Sequence, residues 1–415
     1  MEIRTFGKKS AIVAVTIGVL LATTAPPAQA DTKLDPKALQ RSLNEVHEAG
    51  MYGIYTEVRD GRQTWRGASG VADVDTGRPV HPGMVHRVGS ITKTFVSVAV
   101  LQQVARGAID LDAPIGGYLP DVVPGERGQK ITVRMLLNHT SHIADYVLPA
   151  FPSFLENSPR SLDDNRFRTF TRRELAKLGL DAPPTGEPGV APGSYSNTGY
   201  AILGLLLEKV TGTNAEEHVT RNVIRKAGLR HTSFPRTPRI PGPHSKAYER
   251  FYGLIDPPRD YSVYNMSWAS TAGAIVSTMD DINRFYRALL GGRLIGAAEL
   301  AEMRKTVPVW VGLGTLNYGL GLYTYDLPCG RFWGHSGGVF GMATESLISE
   351  NGDRQLSMGV NLTMYHDLDE NRYPLPHPID RAFVDYLVLA ACGQTSATRS
   401  SSLVPFAVDR LTVRR

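Results

Sequence analysis

The two ends of this chain carry the same pair of elements in opposite order, and this constrains the fold more than any other feature. Residues 35–50 have an amphipathic helix pattern, and a hairpin pattern around Asp60-Gly61 follows it. Near the other end, a hairpin pattern around Asn351-Gly352 precedes an apolar helix pattern that closes at Gly393. We therefore predict an α/β fold in which one mainly antiparallel sheet is built from both chain ends and flanked by helices.

The chain between these ends has a different pattern. From about residue 108 to residue 268, helical stretches such as TVRMLLNHT alternate with Pro- and Gly-rich connections such as APPTGEPGVAPG. We predict that this region is mostly helical and is inserted into the sheet domain. The folded domain would then span residues 31–393, and the Ser/Thr-rich segment 394–415 would be a flexible tail.

Residues 1–30 have the pattern of a secretory signal peptide. Three basic residues accompany an apolar run, and Ala28-Gln29-Ala30 provides an A-x-A cleavage site. The apolar run is about a dozen residues, short of the roughly twenty that span a bilayer. We therefore predict a secreted, soluble chain that begins near Asp31 and has no membrane span.

The net charge restricts which partners the mature chain binds. Without the leader's three basic residues and one acidic residue, the net charge falls from +5 to +3, which argues against a nucleic-acid partner.

Cys329 and Cys392 are too few for a disulfide scaffold. In an oxidising compartment such a pair favours a disulfide, and two buried free thiols are the alternative.

One serine lies in a stretch that fits the nucleophile elbow of α/β-hydrolases. The stretch is WGHSGGVFG, residues 333–341, which contains G-x-S-x-G with Ser336 at its centre. Such an elbow lies between a strand and a helix, and the acid and the histidine of the triad follow it in the chain. Here a Gly-rich stretch and a hairpin pattern follow, and only His366 and His377 lie downstream. The sequence therefore disfavours Ser336 as the nucleophile.

Ser90 is the competing candidate, because it begins a nearly continuous apolar run that predicts a buried helix. Lys93 lies one helical turn further on and on the same face, where a desolvated lysine can take the serine proton. The helix N-terminus also favours the negative charge that develops during acyl transfer. The S-x-x-K spacing alone is not specific, because a helix cap followed by a solvated lysine has the same pattern.

Two further elements accompany this pair. Tyr195-Ser196-Asn197 is the only Y-x-N in the chain and precedes a second buried helix. A phenol near a lysine can transfer a proton, and an amide can donate to a substrate carbonyl. Taken alone, these residues are better explained as a packed tyrosine and a helix-capping asparagine. The other element is His335-Ser336-Gly337, on a predicted strand.

The order S-x-x-K, Y-x-N and H-x-G, with helices between, resembles that of the penicillin-recognising serine enzymes. Within them, the chain is most similar to the secreted D-alanyl-D-alanine carboxypeptidases that share a fold with class C β-lactamases. The resemblance covers about residues 35–393 and includes RVGSITK, ITVRMLLNHTS, SWASTAGAIVSTMDD, YGLGL, GHSGG and the cysteine sites DLPCG and AACG. It implies that Ser336 faces the nucleophile and is not the nucleophile.

The resemblance implies acyl transfer in two steps. Ser90 would attack a carbonyl, while Lys93 and Tyr195 manage its proton. Asn197 would position the substrate, and His335 would add electrostatic support near the tyrosine. Water would then hydrolyse the acyl-enzyme.

The same resemblance assigns the oxyanion site to the backbone N–H groups of Ser90 and Gly338. Trp268, in SWAS, would form an aromatic wall of the cleft, unless it only packs in the core. We expect neither a metal nor a cofactor. His139 and His142 have H-x-x-H spacing, but they lie where the family has an ordinary helix end, so we do not expect a metal site there.

Some positions depart from the family pattern. Relatives that remove a terminal D-alanine bind its carboxylate with hydroxyls around the third motif and with a basic side chain on the preceding strand. Here only Ser336 supplies a hydroxyl, because the next motif position is Gly338, and the strand YGLGLYTYDL offers Tyr323 where some relatives carry arginine. Recognition of a free carboxylate should therefore be weaker. His142 also stands where glycine is usual after H-T-S.

The leading hypothesis is a secreted serine D,D-peptidase, similar to a D-alanyl-D-alanine carboxypeptidase, that acts on peptidoglycan-type peptides through a Ser90 acyl-enzyme. An esterase or a class C-type β-lactamase of the same fold is the first alternative, with small esters or β-lactams as substrates. A non-hydrolysing penicillin sensor or a wall-binding protein is the second. We expect β-lactam antibiotics to acylate the serine and the protein to be a monomer.

Overall fold

A computed structural model describes residues 34–312 and 314–393 of the chain. The predicted signal peptide, residues 1–30, and the predicted tail, residues 394–415, lie outside the described residues and stay predictions. Within the described ranges, no helix combines the length and the apolar character needed to cross a membrane.

Ten of the fifteen strands in the described residues form one sheet at the centre of the fold. The strands are β1 (Gly53–Asp60), β2 (Gln63–Asp73), β3 (Arg78–Pro79), β4 (His86–Arg87), β5 (Gly193–Ser194), β6 (Tyr248–Glu249), β7 (Arg259–Asp260), β8 (Val276–Ser277), β9 (Val307–Trp310), β10 (Thr315–Tyr318), β11 (Tyr323–Leu327), β12 (Gly330–Val339), β13 (Met342–Ser349), β14 (Arg354–Val360) and β15 (Leu362–Thr363). The large sheet has the order β3-β2-β1-β14-β13-β12-β11-β10-β9-β5, and only β5 and β9 pair in parallel. Since β1 pairs with β14, the predicted sheet from both chain ends is confirmed.

The two predicted hairpins lie side by side in this sheet, in the order β2-β1-β14-β13. In the first, Asp60 pairs with Gln63, and Gly61 takes a φ of +54° in the tight turn. In the second, Gly352 takes a φ of +81° between β13 and β14. Glycine is favoured at both turns because left-handed backbone strains other residues.

Helices cover both faces of the sheet. They are α1 (Pro36–Glu48), α2 (Ile91–Val104), α3 (Ile115–Tyr118), α4 (Gly125–Lys130), α5 (Val133–Leu137), α6 (Val147–Ala150), α7 (Arg160–Asp164), α8 (Arg172–Asp181), α9 (Asn197–Thr211), α10 (Ala215–Val219), α11 (Ser270–Gly273), α12 (Met279–Leu290), α13 (Ala297–Met303) and α14 (Pro378–Cys392). Two 3₁₀ helices, Pro152–Glu156 and Met266–Trp268, and a π-helical turn, Thr220–Ile224, complete the set.

Neighbouring residues of one strand belong to different parts of the core. Leu347 packs with apolar side chains of α1 and α14, whereas Ile348, the next residue of β13, packs with those of α2 and α12. Successive side chains of a strand point to opposite faces of the sheet. The sheet therefore lies between an α1/α14 layer and a layer that contains α2 and α12.

The inserted region from residue 108 to residue 268 holds α3 to α10 and only three short strands. Its helix α9 packs against α2. Its strand β5 joins the edge of the large sheet, where Gly193 pairs with Val309 and Ser194 with Trp310. This pairing carries the residues that follow β5 to the sheet edge.

Cys329 and Cys392 form a disulfide, with Cα atoms 5.4 Å apart. Cys329 lies between β11 and β12, and Cys392 is the last residue of α14. The bond therefore joins the terminal helix to the sheet.

Candidate active site

Ser90 immediately precedes α2, a helix that is buried along nearly its whole length because its apolar residues lie on every face. The chain entering this helix touches β12 through backbone atoms. A Cβ on Gly89 would lie 2.6 Å from the Gly338 nitrogen, and one on Gly337 would lie 1.9 Å from the Val88 oxygen. Glycine at 89 and 337 therefore permits the close approach of the third motif to Ser90.

Lys93 Nζ lies within hydrogen-bond distance of oxygens on three different segments. They include Ser90 Oγ at 2.9 Å, Asn197 Oδ1 at 2.7 Å and the Ala272 carbonyl at 2.8 Å. The two carbonyl oxygens can only accept, whereas the serine hydroxyl can also donate. A neutral amine has two N–H groups and one lone pair, so a neutral Lys93 can donate to both carbonyls and receive the Ser90 proton. The geometry fits Lys93 as the base.

Tyr195 is held beside Lys93 at the edge of the sheet. Its backbone N–H donates to the Trp310 carbonyl at 3.0 Å. Lys93 Nζ is 4.9 Å from the centre of the Tyr195 ring, and the His335 ring centre is 6.4 Å from it. The His139 ring packs on the tyrosine at 4.1 Å. The structure thus brings the three sequence motifs to one place.

Asp145 holds Asn197, the last residue of the Y-x-N motif. Its Oδ2 accepts from Asn197 Nδ2 at 2.7 Å and from Asn197 N at 3.0 Å, and its Oδ1 accepts from Val147 N at 2.8 Å. Burial raises the pKa of the Asp145 carboxyl, and the N–H donors of Asn197 and Val147 oppose this rise by favouring the ionised form. Because the amide nitrogen of Asn197 faces Asp145, the amide oxygen faces Lys93.

The segment before Asp145 lies along the Y-x-N motif. Ser194 N donates to the His139 carbonyl at 3.0 Å, and Ser196 N donates to His139 Nδ1 at 3.2 Å. Thr198 Oγ1 donates to the Ala144 carbonyl at 2.6 Å. These bonds hold the motif in register with the chain that carries Asp145.

His142 takes a φ of +52°, in the left-handed region that favours glycine. This conformation gives a physical reason for the glycine that is usual at this position. The ring compensates with hydrogen bonds to Thr185 Oγ1 at 3.1 Å and to the Val190 carbonyl at 2.8 Å, in the loop that leads to Tyr195. His139 therefore bonds the Y-x-N motif, whereas His142 bonds the loop that precedes the motif. Among the described residues, no group of three or more His, Cys, Asp and Glu side chains is placed to bind a metal ion.

The third motif contributes a buried histidine. His335 is fully buried, its Nε2 hydrogen bonds Tyr318 Oη at 2.8 Å, and its Nδ1 faces the Ser336 carbonyl. Ser336 N donates to Tyr323 Oη at 2.6 Å, and Tyr323 is only 1% exposed. At the position where some relatives carry arginine, the Tyr323 hydroxyl is therefore turned inward to support β12.

A pocket of about 120 Å³ opens beside Ser90. Besides Ser90, its polar lining includes Asp145, Asn197 and the Gly338 backbone. Its apolar lining includes Tyr146, Val147, Leu148, Trp268, Val339, Phe340 and Met364. Trp268 stacks on Phe340, with ring centres 4.8 Å apart, and so forms the expected aromatic wall. Among the described residues that line this pocket there is no lysine, arginine or histidine, and Asp145 is the only carboxylate; Ser336 and Tyr323 are not part of the lining.

Comparison with known proteins decides the family. The family model described as beta-lactamase matches residues 38–362 of the chain. The chain belongs to the beta-lactamase family. The family resemblance inferred from the three motifs is therefore confirmed, and the protein is a serine hydrolase of the beta-lactamase and penicillin-binding fold.

This member of the beta-lactamase family is similar to proteins with different activities. Penicillin-binding protein 4 of Amycolatopsis lactamdurans is 30% identical over 291 residues, which cover 66% of this chain and 72% of that protein. Esterase EstB of Burkholderia gladioli is 32% identical over 197 residues, 47% of this chain, and the match spans only 49% of the esterase. The solved D-stereospecific amidohydrolase from Streptomyces sp. is 37% identical with a TM-score of 0.72, covering 79% of this chain and 95% of that one.

Sequence reasoning missed Asp145, a polar residue of this beta-lactamase-family site. Asp145 stands alone in NHTSHIADY, outside the three motifs, and a single carboxylate in a loop has no diagnostic spacing. In the fold, the H-T-S stretch before Asp145 accepts hydrogen bonds from Ser194 N and Ser196 N, and this contact brings Asp145 to Asn197. The contact between the two segments depends on tertiary structure.

Proposed function

We propose that this serine hydrolase is a D,D-peptidase that forms an acyl-enzyme at Ser90 and cleaves D-alanyl-D-alanine peptides. The observation that carries the proposal is the position of Lys93 Nζ, 2.9 Å from Ser90 Oγ and bonded to two carbonyl oxygens. This arrangement supplies a base for the attack of a serine on a carbonyl carbon. The similarity to a penicillin-binding protein and to a D-stereospecific amidohydrolase supports a D-configured substrate.

The proposed reaction has two steps. Ser90 Oγ bonds to the substrate carbonyl carbon, and its proton passes to neutral Lys93. The proton then reaches the leaving amine by way of Tyr195 as the C–N bond breaks. Water hydrolyses the ester in the second step, with the same groups managing its proton. The N–H groups of Ser90 and Gly338 would bind the oxyanion, and each such donor contributes about 3 kcal/mol in other acyl-transfer enzymes.

The lining of the pocket indicates what the acyl part of the substrate is. A cavity of about 120 Å³ is close in size to the cavity of about 150 Å³ that holds a benzene molecule. With Trp268, Phe340 and Met364 in its walls, it suits an apolar side chain larger than a methyl group. We therefore propose that D-residues with larger apolar side chains are accepted along with D-alanine.

Selectivity for a free terminal carboxylate should be low. Tyr323, which stands where some relatives carry arginine, directs its hydroxyl to Ser336 N, so this position offers no charged group for a carboxylate. A charged hydrogen bond contributes about 1.5 to 3 kcal/mol, so a missing one lowers the preference for the free acid by roughly tenfold or more. Carboxypeptidase activity would then be one activity among several.

Asp145 favours a second candidate, an amidase that acts on D-amino acid amides. It is the only carboxylate among the described residues of the pocket lining. A carboxylate there would attract an acyl residue with a free ammonium group. The solved amidohydrolase from Streptomyces is named for D-stereospecific amide hydrolysis, which agrees with this candidate.

The test is kcat/KM for five compounds: a diacyl-lysyl-D-alanyl-D-alanine peptide, its C-terminal amide, D-phenylalanine amide, a phenyl ester and a cephalosporin. We expect turnover of the peptide and of its amide within about tenfold of each other. Ester turnover without amide cleavage would instead identify an esterase, and rapid cephalosporin hydrolysis a β-lactamase. Stable acylation without turnover of any compound would identify a penicillin sensor.

We also propose that the protein is exported and acts as a monomer on peptidoglycan-type peptides outside the cell, where β-lactam antibiotics acylate it. The proposal rests on the leader pattern of residues 1–30 and on the similarity to a penicillin-binding protein. Edman sequencing of the protein from the culture medium should begin at Asp31. An uncleaved chain found only inside the cell would contradict it.

A further inference from the structure

We infer that Asp145 is a positioning residue that sets which face of the Asn197 amide meets Lys93. One oxygen of Asp145 accepts two hydrogen bonds from Asn197, from Nδ2 at 2.7 Å and from the backbone N at 3.0 Å. The amide oxygen is thereby directed to Lys93 Nζ, 2.7 Å away. This inference rests on the proposed Ser90 acyl-enzyme and assigns a role within it.

The orientation matters because an asparagine amide has a donor end and an acceptor end of nearly equal size. If the Asn197 amide were reversed, its NH₂ group would face Lys93. A neutral Lys93 would then accept that N–H with its lone pair, and the lone pair could not receive the Ser90 proton. The reversed amide would therefore compete with the nucleophile for the base.

Asp145 is suited to prevent this reversal. Both Asp145 oxygens accept hydrogen bonds from N–H groups, so they bind the NH₂ end of the Asn197 amide and repel its oxygen end. Its own position is fixed on both sides. Val147 N donates to Asp145 Oδ1 at 2.8 Å. Thr198 Oγ1 bonds the residues on either side of Asp145: it donates to the Ala144 carbonyl at 2.6 Å and accepts from Tyr146 N at 3.0 Å.

A role in binding a substrate ammonium group makes a different prediction from a positioning role. A binding role affects only substrates that carry the cation. A positioning role affects every substrate, because the Ser90 proton must reach Lys93 in each case. Phenyl acetate and benzylpenicillin carry no ammonium group, so their reactions with Ser90 distinguish the two roles.

The experiment measures kcat and KM for phenyl acetate and for D-phenylalanine amide, and the rate of acylation by benzylpenicillin. The variants are Asp145→Ala, Asp145→Asn, Asn197→Ala and the Asp145→Ala/Asn197→Ala double variant. We expect Asp145→Ala to lower kcat and the acylation rate by about 100-fold, the scale of a small misplacement of a reacting group, with little change in KM. Asp145→Asn should recover little of the loss, because its NH₂ group either opposes Val147 N or donates to the Asn197 oxygen and so favours the reversed amide. The double variant should be no slower than Asn197→Ala.

Asp281→Ala is the matched control. Asp281 is a buried carboxylate that accepts from His231 N at 2.7 Å and from Thr232 Oγ1 at 2.9 Å, and it does not line the pocket. Its loss should lower stability and leave kcat near the wild-type value. If Asp145→Ala does not fold, Asp145→Ser replaces it, since a serine hydroxyl can still bond Val147 N but is too short to hold Asn197.

Three results would overturn the inference. The first is a loss confined to D-phenylalanine amide, which would make Asp145 a substrate-binding group. The second is an Asp145→Asn variant with near wild-type kcat, because an amide at position 145 does not exclude the reversed Asn197 amide. The third is a double variant in which the two single losses multiply, because independent effects are additive in free energy. A wild-type protein that is never acylated at Ser90 would instead reject the proposed function itself.

Discussion

Lys93 Nζ lies 2.9 Å from Ser90 Oγ, one turn along the same helix. The S-x-x-K spacing is therefore sufficient to bring the two groups together once the helix forms. The rest of the fold supplies the two carbonyl oxygens, from Asn197 and Ala272, that direct the lysine at the serine.

Replacement of Lys93 should abolish most of the activity while leaving Ser90 in place. For Lys93→Ala we expect kcat/KM for a phenyl ester to fall by about 10²- to 10⁴-fold, the usual contribution of a positioned base. Lys93→Arg should fall as far, because a guanidinium stays protonated and cannot take a proton. Lys246→Ala, at a surface ion pair with Asp73 and Asp75, is the control and should keep its activity. A Lys93→Arg variant with near wild-type rates would exclude lysine as the base.

Local features of the fold and site could be predicted from sequence, because short-range patterns determine them. The first helix, Pro36–Glu48, begins after Asp35, whose side chain accepts from Lys37 N and Ala38 N, as a helix start signal requires. The hairpin glycines Gly61 and Gly352 likewise mark turns that need left-handed backbone.

Features that depend on contacts between distant segments could not be predicted. Tyr195 reaches the site through the parallel pairing of Ser194 with Trp310, and no local pattern specifies that pairing. Tyr323 stands where some relatives carry arginine, but its register opposite Gly334 brings its hydroxyl to Ser336 N. A strand's sequence indicates which residues alternate, whereas the sheet decides which face meets the substrate.

The unfolding free energy should fall in acid because His86 is buried in its neutral form. Its Nε2 lies 3.1 Å from the Ala343 carbonyl and so carries the proton, while Nδ1 accepts from the Tyr55 hydroxyl. Burial lowers the pKa of His86 from 6.5 to about 3. The unfolded chain binds this proton more strongly, so the stability that His86 contributes is complete above pH 6.5 and is lost progressively as the pH falls to about 3.

Urea unfolding of the wild type and of His86→Gln across this pH range measures the effect. Glutamine can bond the same two neighbours and does not titrate. The wild type should lose more stability toward low pH than the variant. Parallel pH profiles for the two proteins would show that His86 is not the titrating group.

Removal of the disulfide should destabilise the protein without removing the site. The bond closes a loop with a sequence separation of 63, which corresponds to about 4 kcal/mol in the chain-entropy model. The Cys329→Ser/Cys392→Ser variant should unfold at lower urea than the wild type and still be acylated by a penicillin. Dithiothreitol should destabilise the wild type and leave this variant unchanged. Equal stability of variant and wild type would contradict a structural role for the bond.

Variants of His142 should separate backbone strain from side-chain bonding. His142→Gly and His142→Ala both lose the hydrogen bonds to Thr185 and Val190. Alanine, in addition, stays in the left-handed region at a φ of +52°, at a cost of about 1 kcal/mol relative to glycine. His142→Ala should therefore have the lower free energy of unfolding by that amount. An alanine variant as stable as the glycine variant would mean that the φ at this position is not left-handed in solution.

The site of acylation is the most direct measurement of the central claim. Trypsin releases Ser90 in residues 88–93 and Ser336 in residues 332–354, so mass spectrometry of the digest distinguishes the two serines after incubation with a penicillin. We expect the penicilloyl adduct on residues 88–93 and no adduct in Ser90→Ala. An adduct on residues 332–354 that persists in Ser90→Ala would contradict the assignment of Ser90 as the nucleophile.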